Sequence, residues 1–147
     1  MIPYGKQSIS DQDIAAVASV LRSDWITQGP TIEAFERGLA QYVGAQFGVA
    51  VANATAALHI ACLALDVGPG DLVWTSPNTF LASANCALYC GAGIDFVDID
   101  PDTWNMDVAA LEVKLMHGKK SGRLPKVVIP VHFGGQSRDM VKIGALA

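Results

Sequence analysis

Asn53-Ala54-Thr55 is where residue type and spacing first suggest chemistry in this 147-residue chain. The run Val49-Ala50-Val51-Ala52 before it reads as a buried strand that passes through small residues straight into a helix. A turn of that kind aims free backbone N–H groups and the positive end of a helix dipole at whatever lies above it, which suits a phosphate. Neither Gly-x-Gly-x-x-Gly nor Gly-x4-Gly-Lys-Ser/Thr occurs, so the dinucleotide and nucleoside-triphosphate readings lose their main support. A small phosphorylated cofactor is the expectation. Thr55 has a second reading, as a hydroxyl that merely caps its helix.

Other chemistry-bearing residues carry less. His59 with Cys62, and Cys86 with Cys90, have helical i,i+3 and i,i+4 spacing that could hold a metal, but two such pairs would have to converge. Three cysteines in apolar helical surroundings fit reduced, buried thiols better than a disulfide framework, and no metal is expected. Asp98 and Asp100 invite an acid/base or metal reading, against which stands ordinary turn chemistry. Phe80 opens a helix after a strand, either as an aromatic face for a ligand or as a core residue.

Composition narrows the classes. Hydrophobic residues make up 51% and charged residues 16%, against about 45–50% and about 25% in ordinary globular chains. The excess implies apolar surface that meets something outside this chain. A net charge of -4 leaves no electrostatic footprint for nucleic acid. The uncharged stretches 38–65 and 72–94 are interrupted by polar and turn-forming residues, so they read as core and no membrane span is expected. Met1-Ile2-Pro3-Tyr4-Gly5-Lys6 is no apolar signal segment, which makes the cytoplasm the default location.

The elements that must position these residues follow from periodicity. Ser10 and Asp13 ahead of Ile14, Val17, Ala18 and Leu21 predict a capped amphipathic helix. Residues 23–30 break it, and a second helix from about Thr31 should turn Ile32, Phe35, Leu39 and Tyr42 inward and stop at Gly44. Beyond that, β-rich runs near 47–52, 72–75, 94–99 and 127–132 alternate with helical stretches near 55–65, 80–90, 107–116 and from 139 onward. Residues 117–125, with Lys119, Lys120 and Arg123, read as a solvated loop. The alternation predicts an α/β, three-layer αβα fold with a mostly parallel sheet. Ligands of such sheets sit beyond the carboxyl ends of the strands. That edge would gather residues 53–55, 76–80, 98–101 and 132–136.

Ordered along the chain, Ile2-Pro3-Tyr4-Gly5-Lys6, the run from Leu21 to Pro30, Pro77-Asn78-Thr79-Phe80-Leu81-Ala82, Gly91-Ala92 and Phe96-Val97-Asp98-Ile99-Asp100 resemble the DegT/DnrJ/EryC1/StrS sugar aminotransferases. These are enzymes dependent on pyridoxal 5'-phosphate with the type I aminotransferase fold. Tyr4 to Ile9, Thr75-Ser76-Pro77, the run from Ser83 to Cys90, and Pro130-Val131-His132 with Gly135-Gln136-Ser137 are similar to the family's pseudaminic-acid branch. That branch moves an amino group from glutamate to C4 of a UDP-linked 4-keto-6-deoxy sugar.

The resemblance implies roles residue by residue. Ala54 and Thr55 match the motif that holds the cofactor phosphate, with Ala where many relatives have Gly. Phe80 matches the aromatic that stacks on the cofactor ring. Tyr4, Asp24, Trp25, Ile26 and Thr27, together with Ala54, match positions that meet the sugar nucleotide. The family's ring-nitrogen Asp and Schiff-base Lys match nothing in residues 1–147, so no catalytic residue is expected in this chain. The chain would be the N-terminal part of the cofactor-binding large domain, with helices over 1–44 and βα repeats over 45–147. The rest of the large domain and the small domain would lie outside it, and the whole enzyme would be a homodimer. Two other readings stay open: another nucleotide-sugar aminotransferase, and a domain that only binds. A Rossmann oxidoreductase is disfavoured by the glycine-free turn at 53–56.

Overall fold

Ser10 and Asp13 start the first helix as their spacing predicts. In the computed structural model, which describes residues 5–147, Ser10 Oγ accepts the Asp13 amide at 3.2 Å and Asp13 Oδ2 accepts the Ser10 amide at 2.8 Å. This reciprocal box begins α1, Asp11–Leu21. Pro30 opens α2, Pro30–Val43, at the position where a missing N–H is harmless, and Gly44 closes it at φ 70°. The chain divides into two compact units, Met1–Ala50 and Val51–Ala147.

Within the first unit, the expected inward stripes are not covered. Ile14, Val17 and Leu21 of α1 and Ile32, Phe35, Leu39 and Tyr42 of α2 are all exposed, and Ala40 is the one buried residue of the two helices. Amphipathic periodicity makes the stripe, but burial needs a surface to lay it on. The expected strand over 47–52 is a second correction. Those residues enter no ladder among the described residues, and Val49 is 71% exposed. A strand exists only with a neighbour to bond.

The second unit holds the layered fold. Three parallel strands, β1 (Leu72–Thr75), β2 (Gly93–Phe96) and β3 (Val127–Ile129), lie in the order β2-β1-β3. Register sets Val73 opposite Ile94 on one side and Val127 on the other. One face carries α3 (Ala54–Ala64) and α4 (Ala82–Tyr89), whose Cys62, Cys86 and Ala87 pack with Val73 and Val67. The opposite face carries α5 (Val108–Ser121) and α6 (Met140–Leu146), where Leu111 and Ile143 pack with Trp74, Val97 and Met106. Alternation along β1 explains the split, since Val73 and Trp74 point to opposite faces.

Several boundaries shift. The second and third strands end at 96 and 129 rather than 99 and 132. Residues 117–121, expected in a loop, are the last turns of α5, which Asp107 caps at the start and Gly122 ends. Lys119 and Lys120 there complement the helix dipole. Phe80 precedes α4, which begins at Ala82, instead of opening it.

Two lysines, Lys114 and Lys126, anchor their side chains to the sheet and its connections. Lys114 pairs with Asp95 at 2.8 Å, bonds the Phe96 carbonyl and lies 4.9 Å from the Trp74 ring centroid. Lys126, just before β3, pairs with Asp71 at 3.0 Å and bonds the Asp66 carbonyl, tying the 66–71 turn to the sheet.

Candidate functional site

Asn53 sets the geometry at the start of α3. Its Oδ1 accepts the Ala56 amide at 2.9 Å and its carbonyl accepts the Ala57 amide at 3.1 Å. The first two amides of the helix, those of Ala54 and Thr55, have no carbonyl a turn behind them to bond. Among the described residues the Thr55 hydroxyl forms no hydrogen bond, so the capping reading of Thr55 gives way: Asn53 is the cap. Two amides and a hydroxyl thus stand together without acceptors.

Chain direction places this group. The 65–71 turn delivers α3 to the amino end of β1, so the other end of this 11-residue helix, about 16 Å away, lies toward the carboxyl edge of the sheet. α4 leaves the carboxyl end of β1 and packs beside α3 on the same face, so the starts of both helices share one edge. Phe80 lies in the connection into α4 and is 78% exposed. Its reading as a core aromatic fails within this chain, and a large apolar ring is left exposed at the edge where α3 and α4 start.

Charge sharpens the picture. α1 carries Asp11 and Asp13 in its first turn, α2 carries Glu33, and α5 and α6 are capped by Asp107 and Asp139. Among the described α-helices, only α3 and α4 begin with no acid at the cap or in the first turn. The positive ends of these two dipoles carry no compensating carboxylate, which suits an anion.

The remaining carboxyl-edge loops are tied to one another. Asn78 Nδ2 donates to the Trp104 carbonyl at 3.3 Å. Buried Asn105 donates to the Gln136 carbonyl at 3.2 Å and accepts the Phe133 amide at 2.9 Å. His132 Nδ1 accepts the Arg138 amide at 3.1 Å. Asn105 and Arg138 were not singled out by sequence reasoning, because a polar residue in a lead-in loop gives no periodic signal. The Arg138 guanidinium bonds the Met106 carbonyl, has two nitrogens without partners, and is lowered in pKa by burial. Asp100 is a turn residue: its Oδ1 accepts the Asp102 and Thr103 amides, and these bonds pull its carboxyl below the usual value. Asp98 Oδ1 likewise bonds the Ile99 amide.

The other candidate residues belong to the first unit or fall outside the described residues, as Tyr4 does. Asp24, Trp25, Ile26 and Thr27 are exposed in the connection between α1 and α2. The Ser23 hydroxyl accepts the Trp25 amide at 3.2 Å, and Trp25 is 60% exposed. Gly29 holds φ 94°, and a Cβ there would stand 2.8 Å from that of Trp25, so the indole rests against a position only glycine fills easily.

Cys62 of α3 and Cys86 of α4 face the core, and burial beside Cys86 pushes the Cys62 thiol up to about 11. The described residues contain no group of three potential metal ligands and no helix long and apolar enough to cross a membrane. A groove of about 680 Å³ between α5, α6 and β3, lined by Leu111, Leu115, Val128, Met140 and Ile143, contains none of the candidate residues.

Residues 7–147 match the DegT/DnrJ/EryC1/StrS aminotransferase family. The chain belongs to that family. It is 43% identical over 146 residues to the spore coat polysaccharide biosynthesis protein SpsC of Bacillus subtilis, covering 99% of this chain and 36% of that protein. It is 40% identical to the UDP-4-amino-4-deoxy-L-arabinose–oxoglutarate aminotransferase of Shewanella sediminis, covering 95% and 34%. Among solved structures, Spr1654 of Streptococcus pneumoniae in its PLP-form superposes with a TM-score of 0.84 at 34% identity, over 99% of this chain and 36% of that one. The chain therefore spans about a third of the length of the curated relatives it matches. The Spr1654 superposition includes the layered α/β frame of the second unit.

Proposed function

We propose that residues 1–147 supply the cofactor cradle of an enzyme that uses pyridoxal 5'-phosphate to move an amino group from glutamate to C4 of a UDP-linked 4-keto-6-deoxy sugar. The observation that carries the reading is the pair of acceptor-free amides at Ala54 and Thr55, with the Thr55 hydroxyl, at a helix start that carries no acid, on the same sheet edge as exposed Phe80. These groups fit the cofactor: the amides and hydroxyl would hold its phosphate, and Phe80 would cover one ring face and keep water from it. When bound, the cofactor supplies an electrophilic carbon and an electron sink for amino transfer. In the same reading Trp25 offers a flat surface to uracil or sugar, Thr27 and Tyr4 offer hydroxyls, and Asp24, Ile26 and Ala54 complete the sugar-nucleotide contacts.

In this reading the imine-forming lysine and the ring-nitrogen carboxylate lie outside residues 1–147. Lys114 and Lys126 are engaged at ion pairs, Lys142 pairs with Asp139 at 2.8 Å, and Lys119 and Lys120 end α5 at the edge opposite the cradle. Residues 1–147 alone would then show no turnover. The enzyme would work as a homodimer in the cytoplasm, where the three cysteines stay thiols. Oxoglutarate in the name of the Shewanella relative supports the glutamate donor, and its aminoarabinose substrate makes a second UDP sugar the natural competitor.

The test is binding and half-reaction on the intact protein. Thr55→Val should weaken pyridoxal phosphate binding about tenfold or more, as the loss of a hydrogen bond to a charged group implies. Glutamate should convert the cofactor to its amine form, and the 4-keto-6-deoxy sugar should restore it faster than a UDP-4-keto pentose does. Unchanged cofactor affinity in Thr55→Val would overturn the cradle.

A further inference from the structure

Asn53 has no role in the reading above beyond starting α3, yet its chemistry is selective. A helix start is served about equally well by Asn, Asp and Ser. Of the other described α-helices that have a side-chain cap, α5 and α6 use the carboxylates of Asp107 and Asp139 and the Ser10 cap of α1 is followed by Asp11 and Asp13, while α2 and α4 start at Gly29 and Leu81 with no side-chain cap bond. At α3 the cap is a neutral amide, with no acid in the following turn. Its Oδ1 takes the third amide, Ala56, at 2.9 Å and leaves those of Ala54 and Thr55 as the two outward donors.

We propose that Asn53 is a positioning and charge-selecting residue of the cofactor site: it fixes the first turn of α3 so that two amides face one phosphate, while adding no charge that would repel it. The proposal rests on the cradle reading and deepens it. An Asp in this place would cap the helix as well, but would set a carboxylate within one turn of a phosphate dianion, where like charges repel. An Ala would remove the repulsion question and lose the cap. Ser, neutral and cap-competent, would preserve both properties.

The experiment compares pyridoxal phosphate with pyridoxal, which has the same ring and no phosphate, by equilibrium dialysis against the intact apoprotein. The ratio of the two affinities isolates the phosphate. Asn53→Asp should leave the melting temperature of the apoprotein unchanged and reduce the ratio about tenfold or more, an effect that shrinks as salt screens it. Asn53→Ser should retain both melting temperature and ratio. Asn53→Ala should lower the melting temperature. A role in folding alone would weaken both ligands together and leave the ratio fixed. If Asn53→Asp keeps the full ratio while Thr55→Val lowers it, the role of Asn53 is refuted and the cradle stands. If neither variant changes the ratio, the cradle fails as well. If Asn53→Asp does not fold, a full ratio in Asn53→Ala would refute the positioning role.

Discussion

The two units obey the same local rules and end in different states. In the first, α1 and α2 have good start signals and apolar stripes, and almost nothing is buried. In the second, helices with weaker amphipathic patterning are packed on both faces of a sheet, because β1 presents Val73 to one side and Trp74 to the other. Caps and periodicity thus mark where a helix starts and which stripe is apolar, whereas burial of that stripe needs a second surface packed on it, which in the second unit is the sheet. The stripe of the first unit is apolar surface left exposed among the described residues.

The largest expected contrast comes from matched leucines. Leu111→Ala, in the α5 core at 1% exposure, should cost about 2–5 kcal/mol in urea unfolding. Leu21→Ala, at 61% exposure on α1, should stay within about 0.5 kcal/mol. Equal costs would show that the stripe is covered after all. Next in size is Ser10→Ala, which removes one half of the capping box and should cost about 1 kcal/mol. It should be read as faster amide exchange over the first turn of α1, with the second unit unchanged.

A pH experiment sharpens the account of the second unit. The Lys126 ammonium, and after it the Gly68 amide, hold the Asp71 carboxyl below its ordinary 3.8. A carboxyl lowered in the folded state stabilises above its unfolded pKa and loses that contribution as pH falls through the folded value. The stability gap between the unsubstituted protein and Lys126→Met should therefore be full at neutral pH and narrow on acidification below 3.8. A gap independent of pH would assign Lys126 to its Asp66 carbonyl contact alone. The smallest effect belongs to the first unit: Glu33→Gln breaks an i,i+4 pair with Arg37 at 3.5 Å and should cost no more than about 0.5 kcal/mol, vanishing in high salt.

Legibility divided along the same line. β1 was readable to the residue from its short β-branched and aromatic run, and Ser10, Asn53 and Gly44 fall at helix boundaries for reasons local to the chain. The run 47–52 misled because a strand pattern records only a capacity for pairing. The end of α5 was misplaced because Lys119 and Lys120 are polar, yet good helix formers. At the candidate site, Thr55 and Phe80 were visible as residue types, while the division of labour at the helix start was not, since Asn53 and Thr55 are both acceptable caps.

The sequence by itself determined the alternation of helices and strands from α3 onward, the starts of α1 and α2 and the absence of a glycine-rich nucleotide turn, all of which depend on neighbours within a few positions. Tertiary structure alone decided which apolar stripes are buried, that Asn105 clips the 132–138 loop, that Phe80 is exposed, and that the acid-free starts of α3 and α4 share one edge. Those outcomes depend on which surfaces meet across a parallel sheet, and strand order is set by pairing between residues far apart in the chain.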